Sequence, residues 1–272
     1  MNRIDRRFTQ LRTDRRKALI PFVTAGDPSL EATVPVMHAL VEAGADVIEL
    51  GVPFSDPMAD GPTIQRSSER ALSRGAGLSF VFESVRKFRE RDADTPVVLM
   101  GYLNPVEIRG TERFARDATD AGVDGVLLVD LPPEESSEFR TAFAAHDLAL
   151  ILLASPTTTD ERLQRLCDDA RGYLYYVSFA GVTGAADRLD TGAAGERLHA
   201  IRQRSRVPVV AGFGIKDAAS AAAMAREAEG VVVGSALVAA LAEATEPAIQ
   251  ARTFLAPLRA ALDGLPAIAE SA

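Results

Sequence analysis

Eight short apolar segments rich in β-branched residues alternate along the chain with longer segments of helical periodicity. Parallel strands need crossover helices, so this strict alternation favours a parallel sheet buried on both faces. The predicted strands are 18–24, 47–51, 97–101, 125–129, 148–153, 173–177, 207–211 and 230–233. Between them, apolar residues recur every three or four positions in windows such as 30–42, 80–89, 111–120, 134–144 and 217–227.

The number of units favours an α/β fold of the closed (β/α)8 TIM-barrel type. An open dinucleotide-binding sheet would carry Gly-x-Gly-x-x-Gly after its first strand, and no such motif follows 18–24. The structural alternative is a flavodoxin-like sheet with one misassigned strand. We expect 1–272 to form one barrel domain with an extra N-terminal helix near 2–11 that could plug the barrel bottom, an extra C-terminal helix near 247–262 and a frayed tail after about 265.

Charge and composition exclude several other classes of protein. A net charge of -8 argues against nucleic acid as a partner, and the most apolar window, 230–242, is too short to span a membrane. The single cysteine, Cys167, rules out an internal disulfide framework and suits a cytoplasmic location. The three histidines do not cluster as a metal site requires, and no lysine is well placed for a Schiff base. We therefore expect neither a metal nor a cofactor in this chain.

Two carboxylates, Glu49 and Asp60, flank a long proline-rich loop after the second predicted strand. Strand alternation puts Glu49 on the opposite face from Ile48 and Leu50, so we expect it to point into the barrel mouth. Active sites of such barrels lie at the carboxyl ends of the strands, where burial raises a carboxyl pKa toward the range useful for proton transfer. The alternatives are a structural acid at Glu49 and a helix cap at Asp60.

Glycine-rich turns after the last two predicted strands indicate a phosphate site. Gly212-Phe213-Gly214 follows the seventh strand, and Gly234-Ser235 closes the eighth at the start of a helix. In barrels, backbone N–H groups and a helix N-terminus at these positions hold phosphate. The segment 181–184, after the sixth strand, could fold over the same end, although each of these segments alone could be an ordinary turn.

Five segments resemble the tryptophan synthase alpha chain family: 21–28, 49–65, 100–105, 130–135 and 181–184. The resemblance runs from about 8 to 262, and the loop ELGVPFSDPMADGPTIQ at 49–65 is its most specific part. The sequence departs from the family pattern at Phe179, where several relatives have arginine, and at Met58, where leucine is usual.

The resemblance implies a carbon-carbon lyase that cleaves indole-3-glycerol phosphate by a retro-aldol reaction into indole and glyceraldehyde 3-phosphate. It implies that Glu49 is the acid–base group and that Asp60 accepts a hydrogen bond from the indole N–H. By the same resemblance, the substrate-binding residues are Phe22, Tyr102 and Tyr175 in the pocket, Thr183 beside Asp60, and Gly184, Phe213, Gly214, Gly234 and Ser235 at the phosphate.

The loop between the two carboxylates is also a predicted docking surface. Val52, Pro53, Phe54, Pro57 and Met58 make it more apolar than a solvent-facing loop needs to be. The resemblance implies that Pro53 and Asp56 contact a beta chain in an alpha2-beta2 tetramer of L-tryptophan biosynthesis, with pyridoxal phosphate in the beta chain only. The alternative is a loop that folds back over this chain's own pocket.

Three other functions compete with this interpretation. A stand-alone indole-3-glycerol-phosphate lyase would use the same residues without a partner. The loop that carries Glu49 and Asp60 argues against another phosphate-sugar barrel, such as an isomerase or epimerase, and both carboxylates argue against a catalytically silent regulatory subunit.

Overall fold

Eight parallel strands close into a barrel in which each strand pairs with the next in chain order and the last pairs with the first. The computed structural model describes residues 2–177, 191–212 and 214–265. The strands are β1 (Ala18–Thr24), β2 (Ile48–Gly51), β3 (Val97–Gly101), β4 (Gly125–Leu128), β5 (Ala149–Ala154), β6 (Leu174–Val177), β7 (Val209–Gly212) and β8 (Gly230–Val233). The barrel prediction is confirmed, and the flavodoxin-like alternative is wrong because an open sheet would have two edges.

Helices surround the barrel, and two lie outside the eight units as expected. Within the described residues they are α1 (Arg3–Thr13), α2 (Thr33–Glu42), α3 (Pro62–Ser73), α4 (Leu78–Arg89), α5 (Leu103–Arg109), α6 (Thr111–Ala121), α7 (Ser137–Ala145), α8 (Asp160–Asp169), α9 (Thr191–Arg204), α10 (Ala218–Ala225), α11 (Ser235–Ala242) and α12 (Pro247–Asp263). The extra helices are α1 and α12, whereas the tail after 265 lies outside the described residues.

Side chains alternate between the inside of the barrel and the layer under the helices. Ile48 and Leu50 of β2 belong to the outer cluster, which they share with helix residues such as Phe82 and Leu255. Val47 belongs to the inner cluster, which the α1 side chains Ile4, Phe8 and Leu11 close from the amino-terminal end. The prediction that the N-terminal helix plugs the barrel bottom is therefore confirmed.

Two aspartates hold the amino-terminal ends of neighbouring strands by hydrogen bonds. Asp46, before β2, accepts hydrogen bonds from the Leu19 backbone N–H and from Arg259, at 2.8 and 2.9 Å. Asp124, before β4, accepts in the same way from the Val97 N–H and Arg89, at 2.9 and 2.8 Å. Paired and hydrogen-bonded charges are tolerated in such buried positions. These bonds fix the strand register on which the site at the other end depends.

Among the predicted boundaries that shift, two have clear local reasons. The strand expected at 207–211 begins at Val209, since the preceding proline has no N–H for a sheet hydrogen bond. The helix expected from 134 begins at Ser137, because Pro133–Glu135 forms a separate 3-10 turn.

Candidate active site

Glu49 lies in the middle of β2 with a fully buried side chain, in register with Phe22 of β1 and Val98 of β3. Its Oε1 accepts a hydrogen bond from the Tyr173 hydroxyl at 2.6 Å. Its Oε2 is buried and has no hydrogen-bond partner among the described residues. The carboxyl group is thus held at one oxygen, while the other is buried without a partner among the described residues.

Burial sets the protonation of Glu49. Desolvation raises its pKa from 4.5 to about 7, and the hydrogen bond from Tyr173 opposes the rise. A carboxyl group with a pKa near 7 populates both protonation states at neutral pH, as a general acid–base group requires. Burial raises the pKa values of Tyr173 and Tyr175 well above 10, and the charge of Glu49 adds to the effect, so both phenols stay protonated.

Asp60 lies at the rim, at the end of the loop that follows β2. Its Oδ2 accepts a hydrogen bond from the Tyr102 hydroxyl at 3.0 Å, and that hydroxyl accepts one from the Ala59 N–H at 3.1 Å. The cap of α3 is Gly61, with no side-chain capping bond, so the interpretation of Asp60 as a helix cap is wrong. Burial raises the pKa of Asp60, and the hydrogen bond from Tyr102 partly opposes this.

A small cavity brings Asp60 together with the aromatic side chains of Phe22 and Tyr102. Its lining residues are Phe22, Thr24, Gly51, Val52, Asp60, Ile64, Ser68, Met100, Gly101, Tyr102 and Val129. The Phe22 ring lies so close to Gly51 that a Cβ there would be 2.6 Å from its Cζ. Tyr175 lies inside the barrel over Gly212, where a Cβ would be 2.0 Å from the phenol oxygen. Glycine is therefore required at both strand ends.

The expected phosphate region is described only in part. Gly214 has φ +71°, and a Cβ at this position would meet no atom of the described residues within 4 Å, which leaves room there for a ligand near the backbone. Gly234 precedes α11, which begins at Ser235 and has no side-chain capping bond. The predicted ligands Thr183, Gly184 and Phe213 lie outside the described residues, as does Phe179.

The loop after β2 is less exposed than the sequence suggested. Pro53 is buried, and the Phe54 ring stacks on Tyr102 with ring centroids 5.0 Å apart. These two residues therefore do not form an exposed crest, and the contact of Pro53 with a beta chain stays a prediction. Asp56 and Met58 are exposed, the latter by 79%.

Sequence reasoning missed Tyr173 as a partner of Glu49. It lies directly before β6, and it shares the inner cluster with Tyr175, two residues further on. The same period-two alternation that placed Glu49 inside the barrel would have pointed to it.

Within residues 2–177, 191–212 and 214–265, no group of three or more His, Cys, Asp or Glu side chains is arranged to hold a metal ion. No helix in those ranges is long and apolar enough to cross a membrane.

The buried carboxyl group makes stability depend on pH. Because folding raises the pKa of Glu49 from 4.5 to about 7, the folded state binds the proton more tightly. The contribution of protonated Glu49 to the stability of the folded state is therefore fully present below about pH 4.5 and is lost as the pH rises through 7. We expect Glu49→Gln to be more stable than the wild type at pH 8, by up to roughly 3 kcal/mol, and equal to it near pH 4. Urea unfolding at both pH values measures this, and a difference that does not change with pH would contradict it.

The fold and the site together are those of a barrel enzyme, with one carboxyl group buried in the interior and a second at the rim of the carboxyl ends of the strands. A family model described as "Tryptophan synthase alpha chain" matches residues 8–261. The chain belongs to the tryptophan synthase alpha chain family.

Individual relatives agree over nearly the full length. The chain is 73% identical to the tryptophan synthase alpha chain of Xanthomonas oryzae pv. oryzae over 266 residues, 97% of this chain and 99% of that one. It is 71% identical to that of Xanthomonas campestris pv. campestris over 265 residues, 96% of this chain and 97% of the other. The crystal structure of tryptophan synthase subunit alpha from Legionella pneumophila superposes with a TM-score of 0.92 at 46% identity, covering 97% of this chain and all of that one.

Members of this family are lyases that cleave indole-3-glycerol phosphate. An isomerase or epimerase is therefore the wrong reaction class for this chain, and a stand-alone lyase is not favoured.

Proposed function

We propose that Glu49 and Asp60 carry out the retro-aldol cleavage of indole-3-glycerol phosphate to indole and glyceraldehyde 3-phosphate in this chain. The observation that carries the proposal is the environment of Glu49. Its carboxyl group is fully buried, its pKa is raised to about 7, and one oxygen has no partner among the described residues. Such a group can give a proton to a substrate and take one back at neutral pH.

The reaction needs two proton movements and no net change of protons. Glu49, as the carboxylic acid, donates a proton to the indole ring carbon that bears the side chain. The side-chain hydroxyl then loses its proton to the Glu49 carboxylate and becomes a carbonyl. The bond to the ring breaks, and its electron pair returns to the indole ring. Asp60 accepts a hydrogen bond from the indole N–H and so stabilises the positive charge of the protonated ring.

Aromatic side chains of the site suit an indole ring. Phe22 and Tyr102 line the same cavity as Asp60, and Tyr175 lies in the barrel interior. Flat rings stack favourably on aromatic surfaces of this kind. We place the substrate's phosphate near Gly214, Gly234 and Ser235, joined by Thr183, Gly184 and Phe213 from outside the described residues. The chain needs no cofactor of its own for this chemistry.

The phosphate site can be tested at Gly214. We expect Gly214→Val to weaken binding of indole-3-glycerol phosphate much more than binding of free indole, because the added side chain occupies the open space near the backbone and disfavours φ +71°. Calorimetric titration with both ligands measures the two affinities. An equal loss of both affinities would show a general disruption of the fold instead.

We also propose a beta chain as partner, with an alpha2-beta2 assembly and pyridoxal phosphate in the beta chain. Two exposed apolar side chains support a docking surface at the carboxyl end of the barrel: Met58, 79% exposed after β2, and Ile108, 80% exposed on α5 after β3. Tyr102 links these segments, since it stacks on Phe54 and precedes α5. Asp56 adds an exposed charge. Exposed apolar side chains of this size are typical of protein interfaces.

A titration of indole production against added beta chain tests the function and the partner together. We expect the chain alone to release indole from indole-3-glycerol phosphate and the rate to rise to a plateau at one beta chain per alpha chain. A partner does this when it binds the active conformation of the chain more tightly than the less active one. Asp56→Lys should reduce the stimulation and spare the basal rate, whereas Asp94→Lys, an exposed aspartate near α1, should change neither. Indole release at a rate that does not change with added beta chain would establish the stand-alone lyase. No indole release at all would overturn the proposed reaction.

A further inference from the structure

A second cavity, of about 630 Å³, lies at the amino-terminal end of the barrel, opposite the site around Glu49. It is formed by α1, the turn into β1 and the segment between α9 and β7. Six of its lining residues are cationic: Arg12, Arg15, Arg16, Lys17, Arg202 and Arg206. Among the described residues, one carboxylate lines it, that of Glu229. A protein with a net charge of -8 thus concentrates positive charge in one cavity.

Neighbouring carboxylates neutralise only some of these cations. Glu229 is occupied by Arg202, at 2.9 Å, and by the Val209 backbone N–H, at 2.8 Å. Arg16 pairs with Asp263 at 3.0 Å. Within the described residues, the side chains of Arg12 and Arg15 make no ion pair and no hydrogen bond.

Arg206 has one loose ion pair, at 3.8 Å from Asp168. The cavity therefore has three poorly neutralised arginines: Arg12, Arg15 and Arg206.

Lys17 places an amine at the same cavity although it is only 4% exposed. Its Nζ donates one hydrogen bond, to the Ala228 carbonyl at 2.9 Å, and an ammonium group has three donors. Burial lowers the pKa of Lys17 to about 8, while the charges of Glu229 and Glu227 oppose this and that of Arg202 reinforces it. A bound anion would supply the charge and the acceptors that this amine lacks.

Arg15 is held in a costly backbone conformation. Its φ of +55° is the left-handed region, which follows the end of α1 and where glycine is the usual residue. The Arg16 N–H donates to the Leu11 carbonyl at 2.8 Å and so closes the helix end around this residue.

Helix ends alone do not account for this cluster. Basic residues in the last turn of a helix interact favourably with its dipole, which explains Arg12 on α1 and Arg202 on α9. Arg15, Arg16 and Lys17 lie beyond the end of α1, and Arg206 beyond the end of α9. The cavity also has apolar walls, to which Phe8, Leu11, Val207 and Pro208 contribute.

We propose that this cavity is a second ligand site, which binds a small organic anion with two or more negative charges carried by phosphate or carboxylate groups. Arginine forks match the geometry of both groups, and the volume is that of an ordinary ligand pocket. The apolar walls would contact the carbon skeleton of the ligand.

Calorimetric titration with inorganic pyrophosphate and with citrate, at low salt, tests the proposal. We expect at least one of them to bind, and the tighter one identifies the anionic group. Arg12→Gln combined with Arg15→Gly should raise the Kd about tenfold or more, since two charge-assisted contacts are lost. Arg113→Gln, an exposed arginine on α6, should leave the Kd nearly unchanged. Titration of the Gly214→Val protein with the same anions distinguishes binding at this cavity from binding at the proposed substrate phosphate site.

Two readouts separate a ligand site from a structural cluster. The Tm of the Arg15→Gly protein should be no lower than that of the wild type, because glycine adopts φ +55° readily. Indole release by the double variant, measured without added anion, should be unchanged, since the cavity is at the other end of the barrel. Absence of binding by both anions, or an equal loss of affinity in Arg113→Gln, would overturn the proposal.

Discussion

Replacing Glu49 by glutamine is expected to lower kcat for indole release by about 10²–10⁴-fold while substrate still binds. The amide has nearly the shape of the carboxyl group, and its oxygen can accept the hydrogen bond that Tyr173 donates to Glu49 at 2.6 Å. It cannot give a proton to the ring carbon or take one from the hydroxyl. Steady-state kinetics, together with calorimetric binding of the substrate, separate the loss of chemistry from a loss of binding.

A second glutamate provides the control. Glu42 ends α2 and is half-exposed, so Glu42→Gln should retain wild-type kinetics. Near-native turnover by Glu49→Gln would make Glu49 a structural acid. A large loss of substrate affinity would give it a role in binding.

Replacing Asp60 by asparagine is expected to cost about 10²–10³-fold in kcat, the usual loss when one electrostatic contact to a transition state is removed. Asparagine keeps an oxygen for the hydrogen bond that Tyr102 donates to Asp60 at 3.0 Å, but it loses the negative charge that we propose stabilises the protonated indole ring. The effect should fall on kcat more than on KM, because the positive charge of the ring develops during the reaction and is absent from the bound substrate.

Tyr102→Phe is the matched control for Asp60. It removes the hydroxyl that joins Asp60 and the Ala59 N–H but leaves the carboxylate in place. We expect a smaller loss than for Asp60→Asn. If both variants lost activity equally, the charge of Asp60 would have no special role.

Local sequence patterns were sufficient to predict the barrel and the inward direction of Glu49. Alternation along β2 is a property of the backbone, and the outer positions Ile48 and Leu50 do pack with the helices. The plug formed by α1 was predicted for the same kind of reason, since its apolar residues Ile4, Phe8 and Leu11 recur at helical spacing.

Contacts between distant segments could not be predicted in this way. Tyr173 meets Glu49 across 124 residues of chain, and Tyr102 meets Asp60 across 42. Pro53 is apolar and lies in a loop, but its burial depends on how that loop packs in three dimensions. Periodicity indicates which face a side chain occupies, whereas its partner depends on the closed barrel.

The pH dependence of kcat/KM for the wild type and for Tyr173→Phe tests most directly whether the buried carboxyl group of Glu49 transfers the protons. Because the cycle begins with the carboxylic acid, kcat/KM for the wild type should fall as the pH rises through an apparent pKa near 7. The hydrogen bond from Tyr173 holds the pKa of Glu49 down, so the variant should show the same fall at a higher pH. A profile that is flat from about pH 5.5 to 8.5, or a fall at the same pH in both proteins, would contradict the assignment of Glu49 as the acid–base group.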